Sequence, residues 1–260
     1  MTQIVFPTGT ESERTPGFYL AAEEYVAGTD SADEAVFFWK VRPAVIFGRN
    51  QQMSVEVNLS WCMEHGVQVF RRRSGGGCVY ADSGNLMVSY ISPGVDVRSA
   101  FAKYLSMMTG ALRRLGVEAE PSGNNDIVAC GRKISGNAFY TVAGKSIVHG
   151  TLLYDADLDA MLSAITPSAE KLEKHGVASV RQRVANIRPM LGEKAAREGV
   201  ADMSSLMSWL AGYLCDTVLP LPEQAMSRIG IISGRYLDRD FIENGRHSSR
   251  PSGQRPDSRI

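Results

Sequence analysis

The chain has no Cys-x-x-Cys pair, and its four cysteines, Cys62, Cys78, Cys130 and Cys215, stand far apart. It has four histidines and none at metal-ligand spacing, which argues against a structural zinc and leaves the thiols to be read as reduced. Net charge is missing too. Twenty-eight basic residues balance 28 acidic ones, so neither nucleic acid nor an anionic membrane is expected as the main partner. No run approaches the roughly 18 apolar residues of a membrane span, and the N-terminus lacks the basic-plus-apolar pattern of a secretory signal; a cytoplasmic location is the expectation. There is no internal repeat. Gly144-Lys145-Ser146 ends like a phosphate-binding P-loop, but Phe139 stands where that motif needs its first glycine, and no Gly-x-Gly-x-x-Gly spacing marks a dinucleotide site.

What the chain does have is 260 residues, 44% of them hydrophobic, enough for a sizeable core in one domain. Thr15-Pro16 reads as a helix cap followed by an N1 proline, predicting a helix over 15–26. Apolar runs over 34–41 and 44–47, split by Arg42-Pro43, predict two strands joined at a turn. A short helix is expected over 58–65 with Asn58 or Ser60 as cap, then strands over 67–70 and 86–91. Val97, Phe101, Tyr104, Leu105, Met108, Leu112 and Leu115 recur at spacings of three, four and seven, which predicts an amphipathic helix stopped by Gly116. Met107 and Met108 read as core filler. Residues 127–153 are strand-like, with a hairpin turn at Ala143-Gly144. Further helices are expected over 158–165 and 203–218. This irregular order favours an α+β fold, a mixed sheet with helices packed on one face, over a doubly wound one.

The most informative run is Arg71-Arg72-Arg73-Ser74-Gly75-Gly76-Gly77-Cys78-Val79-Tyr80. Three successive glycines permit positive φ and close approach to a ligand, and convergent backbone N–H groups beside arginines suit a phosphate or carboxylate. The alternative is a mobile hairpin on a basic surface. A second cluster decides between them: Asn125-Asp126, then Gly131-Arg132-Lys133-Ile134-Ser135-Gly136-Asn137-Ala138, then His149-Gly150-Thr151-Leu152-Leu153.

Together these runs resemble the lipoate–protein ligase family, whose Arg-Arg-x-Ser-Gly-Gly-Gly loop, Asn-Asp pair, Gly-(Arg or Lys)-Lys-x-Ser-Gly segment and His-Gly-Thr-Leu-Leu strand stand here in the same order. Ser179-Val180-Arg181-Gln182-Arg183-Val184-Ala185-Asn186-Ile187 is similar to a fifth family segment, so the resemblance covers roughly residues 15 to 220. It implies a fold like that of biotin protein ligases and class II aminoacyl-tRNA synthetases. It also implies an adenylate-forming reaction: (R)-lipoate attacks the α-phosphate of ATP to give lipoyl-AMP, and a lysine of an acceptor lipoyl domain takes the acyl group. Acceptors of this kind are apo lipoyl domains of 2-oxoacid dehydrogenase complexes or the glycine cleavage H protein. Lipoate and octanoate share a carboxylate and an eight-carbon chain, so the motifs serve either.

Residue by residue, the resemblance makes Lys133 the catalytic cation on both the acyl carboxylate and the α-phosphate. Arg72, Ser74, Gly75, Gly76, Gly77, Cys78, Val79, Tyr80, Asn85 and Asp126 join Lys133 around ATP and lipoyl-AMP. Gly136 and His149 are expected with Lys133 at the lipoate. Asp126 is the candidate Mg²⁺ ligand, or else part of a structural turn. Arg181 and Arg183 are left open between the adenylate and an ordinary surface. Val79, Ile134 and Ala138 are candidates for an apolar acyl slot.

The chain departs from the family after Tyr80, where Ala81-Asp82 replaces the common His-Asp. Residues 1–240 read as a catalytic domain and 241–260, rich in Ser, Pro and Arg, as a disordered tail. The accessory domain of larger ligases is expected to be missing, which keeps open the alternative that the chain is a lipoyl-AMP-binding subunit needing a separate accessory protein. The other alternative is ATP-independent octanoyl or lipoyl transfer through a cysteine thioester, for which 165–169 offers no cysteine.

Overall fold

The computed structural model describes residues 1–8, 14–29, 32–123, 125–165 and 183–245. Strand β1 (Thr2–Val5) is followed by helix α1 (Pro16–Ala27), where the Thr15 hydroxyl accepts from the Phe18 N–H at 3.4 Å and Pro16 takes the position at which a missing N–H costs nothing. Strands β2 (Ala35–Trp39) and β3 (Ala44–Phe47) flank the Arg42-Pro43 bend. Short helices α2 (Met53–Glu56) and α3 (Leu59–Glu64), the latter capped by Asn58, lead into β4 (Gln68–Arg71). Beyond the glycine loop come β5 (Val79–Ala81), β6 (Asn85–Ser92), α4 (Val97–Arg114), β7 (Ala119–Pro121) and β8 (Asp126–Ala129). The long hairpin β9 (Arg132–Val142) and β10 (Lys145–Leu153) turns at Ala143-Gly144, whose φ values of 51° and 75° suit a two-residue turn of this hand. Helices α5 (Leu158–Ala164), α6 (Glu193–Arg197) and α7 (Met203–Leu214), strand β11 (Thr217–Pro220), and helices α8 (Glu223–Leu237) and α9 (Arg239–Asn244) complete the strands and α-helices described.

Eight strands form one mixed sheet in the order β11-β1-β2-β6-β10-β9-β8-β7, with β1 parallel to both its neighbours and the remaining pairs antiparallel. A smaller sheet, β4-β3-β5, carries the glycine loop between β4 and β5. Alternation along β2 and β6 splits their side chains between two cores. Val36, Phe38, Leu86, Val88 and Tyr90 pack with Tyr104, Met108 and Leu112 of α4. Ala35, Phe37, Trp39, Met87 and Ile91 pack with Leu20 and Val26 of α1 and Ile229 and Tyr236 of α8. Each fully buried large side chain contributes about 1.5–3 kcal/mol of hydrophobic free energy, so both layers are needed.

The α+β expectation holds, but helices cover both faces of the sheet rather than one. Two more expectations change. The helix expected over 203–218 ends at Leu214, because Thr217–Pro220 pairs with β1 instead; a vacant sheet edge outweighs local helical periodicity. The two strands joined at the Arg42-Pro43 turn form as expected, and the turn carries the chain from the larger sheet to the smaller one. Residues 241–244, expected in a tail, close α9, where Phe241 is 2% exposed and packs in the same core as Tyr236. Residues 246–260 lie outside the described ones. No helix among the described residues is long and apolar enough to cross a membrane.

Candidate functional site

The three arginines before the glycine loop do different work. Arg71, 3% exposed, donates to the carbonyls of Arg49 (2.7 Å), Gln51 (2.8 Å), Ile242 (2.9 Å) and Glu243 (3.0 Å), tying the loop after β3 to the end of α9. Arg73 pairs with Glu24 of α1 at 2.5 Å, and Glu24 also accepts from the Tyr236 hydroxyl of α8 at 2.5 Å. The expected cluster of cations at the entrance therefore reduces to Arg72. Its guanidinium donates to the carbonyls of Ile46 (2.9 Å), Gly75 (2.6 Å) and Gly77 (2.7 Å) and to the Ser74 hydroxyl (2.9 Å). Burial pushes its pKa down to about 10, because none of these partners carries the negative charge that would offset its own.

This arrangement engages the loop's carbonyls and leaves its donors. Among the described residues, the N–H groups of Gly75, Gly76 and Gly77 make no hydrogen bond within the chain. Gly76 holds φ at +87°, and a Cβ on Gly48 would sit 2.2 Å from the Gly76 carbonyl, so the loop lies against the chain after β3 only because both positions are glycine.

Beneath the loop runs a buried polar chain. The Ser74 hydroxyl is 2.7 Å from His149 Nε2, and His149 Nδ1 is 3.0 Å from both oxygens of Glu23. Since Arg72 already donates to Ser74, the consistent arrangement has Ser74 donating to Nε2 and Nδ1–H donating to Glu23. Glu23, fully buried on α1, also accepts from Ser89 (2.6 Å) and Tyr140 (3.1 Å), and Ser89 accepts from the Trp39 indole (2.9 Å). Burial and the Glu23 charge push the Tyr140 hydroxyl well above its ordinary value. Sequence reasoning passed over Glu23. The available signal was its place between Leu20 and Val26 on the apolar stripe of α1, where an unpartnered carboxylate would be costly.

Lys133 lies on β9, its side chain half-exposed, with Nζ 2.8 Å from Asp126 Oδ1. That oxygen is buried and has no well-aligned hydrogen-bond donor, so the pair is an ion pair of poor directionality. Gly136 stands opposite Asp126 in the ladder, and a Cβ there would come within 2.9 Å of Lys133 Cε and Nζ. The ammonium reaches Asp126 by crossing a residue without a side chain.

Two cavities meet at this lysine. A narrow slot of about 80 Å³ is walled by Leu20, Trp39, Ile46, Met87 and Ala138, with Arg72 and His149 among its polar lining. An open groove of about 620 Å³ runs past Tyr80, Asp126, Met161 and Arg183. Gly77, Cys78, Val79, Lys133, Gly136 and Thr151 line both. Of the residues expected at the site, Ser74, Gly75 and Asn85 touch neither cavity. Ser74 and Gly75 hold Arg72, and Asn85, fully buried at the start of β6, donates to the Tyr80 carbonyl at 2.9 Å. Ile134, expected in the slot, faces the core under α4 instead, since alternation along β9 puts it opposite Lys133. Arg181 lies outside the described residues, as do 166–169.

A family model for the lipoyl protein ligase A/B catalytic domain matches residues 15–205. The chain belongs to this family. Lipoate-protein ligase LplJ of Bacillus subtilis is 43% identical over 185 residues, which make up 70% of this chain and 56% of that protein. Lipoate–protein ligase 1 of Staphylococcus aureus is 42% identical over 181 residues, 68% of this chain and 55% of that protein. The chain thus spans a little over half the length of these curated relatives. Among solved structures, the bi-partite lipoate protein ligase of Thermoplasma acidophilum superposes with a TM-score of 0.78 at 22% identity, covering 95% of this chain and 97% of the other. A lipoate-protein ligase A bound with ATP gives 0.74 at 22% identity over 93% and 97%. At such identities these two establish the fold.

Proposed function

We propose that the chain is an ATP-dependent ligase that activates lipoate to lipoyl-AMP and passes the acyl group to a lysine of an apo lipoyl domain. The observation that carries this reading is the position of Lys133 where the apolar slot and the wider groove join. The slot suits a slender acyl chain entering end-on, and the groove suits a nucleotide; a carboxylate and an α-phosphate then meet at one ammonium.

In the first step a carboxylate oxygen bonds to the α-phosphorus and the bond to pyrophosphate breaks, the electron pair leaving with pyrophosphate. In the second, the acceptor amine attacks the acyl carbon and AMP departs. Charge builds on oxygens next to Lys133 and the unengaged N–H groups of Gly76 and Gly77 in both steps, and fixed donors stabilise that charge more than they stabilise the ground state. Arg72 serves by holding the loop's carbonyls inward and its N–H groups in place. His149 and Glu23 fix the wall of the slot.

Asp126 fits Mg²⁺ as a carboxylate ligand, since its buried oxygen lacks an aligned donor and Mg²⁺ on phosphates takes few protein ligands. Bound there, the ion would neutralise phosphate charge. The cysteine-thioester alternative is disfavoured: burial pushes the Cys78 thiol up to about 12, Cys62 is 1% exposed, and Cys130 sits on the β8–β9 turn away from both cavities. A reaction that consumes ATP is consistent with a cytoplasmic site of action.

The test is ATP, Mg²⁺ and lipoate with an apo lipoyl domain, followed by pyrophosphate release and the intact mass of the domain. Release together with a lipoyl mass increment is the expected result. Acyl transfer from an octanoyl carrier without ATP would replace this reading with the transferase one.

A further inference from the structure

We propose that Arg183 binds the outer phosphates of the nucleotide and stabilises the pyrophosphate as it leaves. This rests on the ligase reading and adds to it a residue for the part of the nucleotide that Lys133 does not reach.

Among the described residues, the groove is lined by two carboxylates, Glu56 and Asp126, and two cations, Lys133 and Arg183. Lys133 is paired with Asp126, and under the proposed reaction it is committed to the carboxylate and α-phosphate. Arg72 gives its donors to the glycine loop and the carbonyl of Ile46. A triphosphate in the groove brings two further charged groups beyond the α-phosphate, and among the described residues Arg183 is the remaining groove-lining cation to meet them. Its side chain is exposed, and among the described residues no hydrogen bond or ion pair engages its guanidinium.

An exposed arginine is ordinarily a solvated one, but the backbone here is fixed. The Lys133 N–H donates to the Arg183 carbonyl at 2.7 Å, and the Ala185 N–H donates to the Lys133 carbonyl at 2.9 Å, so Arg183 is stitched directly to the catalytic strand position. Asn186 continues the anchor with reciprocal hydrogen bonds to Ala156, donating to its carbonyl at 2.9 Å and accepting from its N–H at 3.0 Å. Ala185 and Ile187 are buried in the core under α4. A guanidinium on such a base presents a planar fork suited to a phosphate pair, with the backbone beneath it already ordered. When the α-phosphorus takes the carboxylate oxygen, the electron pair of the breaking bond moves onto pyrophosphate, and Arg183 is placed to meet that charge.

The experiment compares Arg183→Ala, Arg183→Lys and the unaltered chain by calorimetric titration with ATP, with inorganic pyrophosphate and with AMP. Loss of one charge-assisted phosphate contact predicts binding of ATP and pyrophosphate weakened about 10- to 100-fold in R183A, partial recovery in R183K, and AMP binding unchanged. ATP and pyrophosphate affinities in R183A equal to those of the unaltered chain, or an equal loss for AMP, would overturn the proposal. Preformed lipoyl-AMP separates this from the ligase reading, because transfer from it to an apo lipoyl domain bypasses the outer phosphates. Unimpaired transfer by R183A alongside weakened ATP binding supports the assignment. Transfer by the unaltered chain, with ATP affinity untouched in R183A, sinks Arg183 alone. A chain that binds neither ATP nor pyrophosphate sinks both.

Discussion

The slot and the groove share a wall but are built on opposite principles. The polar chain behind the slot is fully answered: Arg72 by carbonyls and Ser74, His149 by Ser74 and Glu23, Glu23 by Ser89 and Tyr140 as well. The groove holds its charges in reserve, with a half-exposed Lys133 in an ion pair of poor alignment and an Arg183 without a side-chain partner among the described residues. A cavity for an apolar chain gains nothing from free polar groups, which would bind water and resist the chain's entry. A site for a reacting phosphate needs cations that can exchange one partner for another. Stability and chemistry are thereby assigned to different sides of the same glycine loop.

Substitutions on the two sides should behave differently. The largest effect on rate belongs to Lys133→Ala. Losing about 4 kcal/mol of transition-state stabilisation slows adenylate formation about a thousandfold, while the melting temperature stays near that of the parent; retained activity would break the distinction. Glu23→Gln should do the reverse. An amide donor placed among donors costs about 2–4 kcal/mol of stability, read as a lowered denaturant midpoint, and the lipoate KM should rise while the ATP KM holds. Gly136→Ala tests how the lysine is carried: the added methyl displaces Lys133 Nζ, so kcat should fall about tenfold with little loss of stability, since the group displaced is the end of a flexible side chain. The smallest effect concerns Cys78. With its thiol raised to about 12, it stays neutral at about pH 8, so iodoacetamide should label exposed Cys130 first. The stability that Cys78 contributes as a neutral thiol is complete below about pH 8.5, its unfolded value, and is lost as pH rises toward about 12. An alkaline denaturation series on Cys78→Ala should show a shallower loss over that interval.

Which residues gather at the candidate site was largely legible in the sequence because they are packed into short runs. The glycine loop and the Lys133 segment each hold their residues close together in the chain, and local spacing sets which of them meet. The sheet hairpin at Ala143-Gly144 and helix α4 were legible for the same reason. What stayed hidden depends on partners remote in the chain. Glu23 has meaning only beside His149, 126 positions away. Arg71 and Arg73 look equivalent to Arg72 until α9 claims the first and α1 the second. The strand at Thr217–Pro220 exists because β1 offers it an edge, and no pattern within that short stretch announces it.

A crystal structure with a non-hydrolysable lipoyl-adenylate analogue would show whether the acyl chain takes the slot and the nucleotide the groove, with Lys133 between them. The expected result is the acyl chain among Leu20, Trp39 and Met87, the phosphate mimic within hydrogen-bond reach of Lys133, and the adenosine in the groove beside Tyr80. An analogue bound with its acyl chain outside the slot, or with Lys133 still turned to Asp126 and clear of the phosphate mimic, would contradict it.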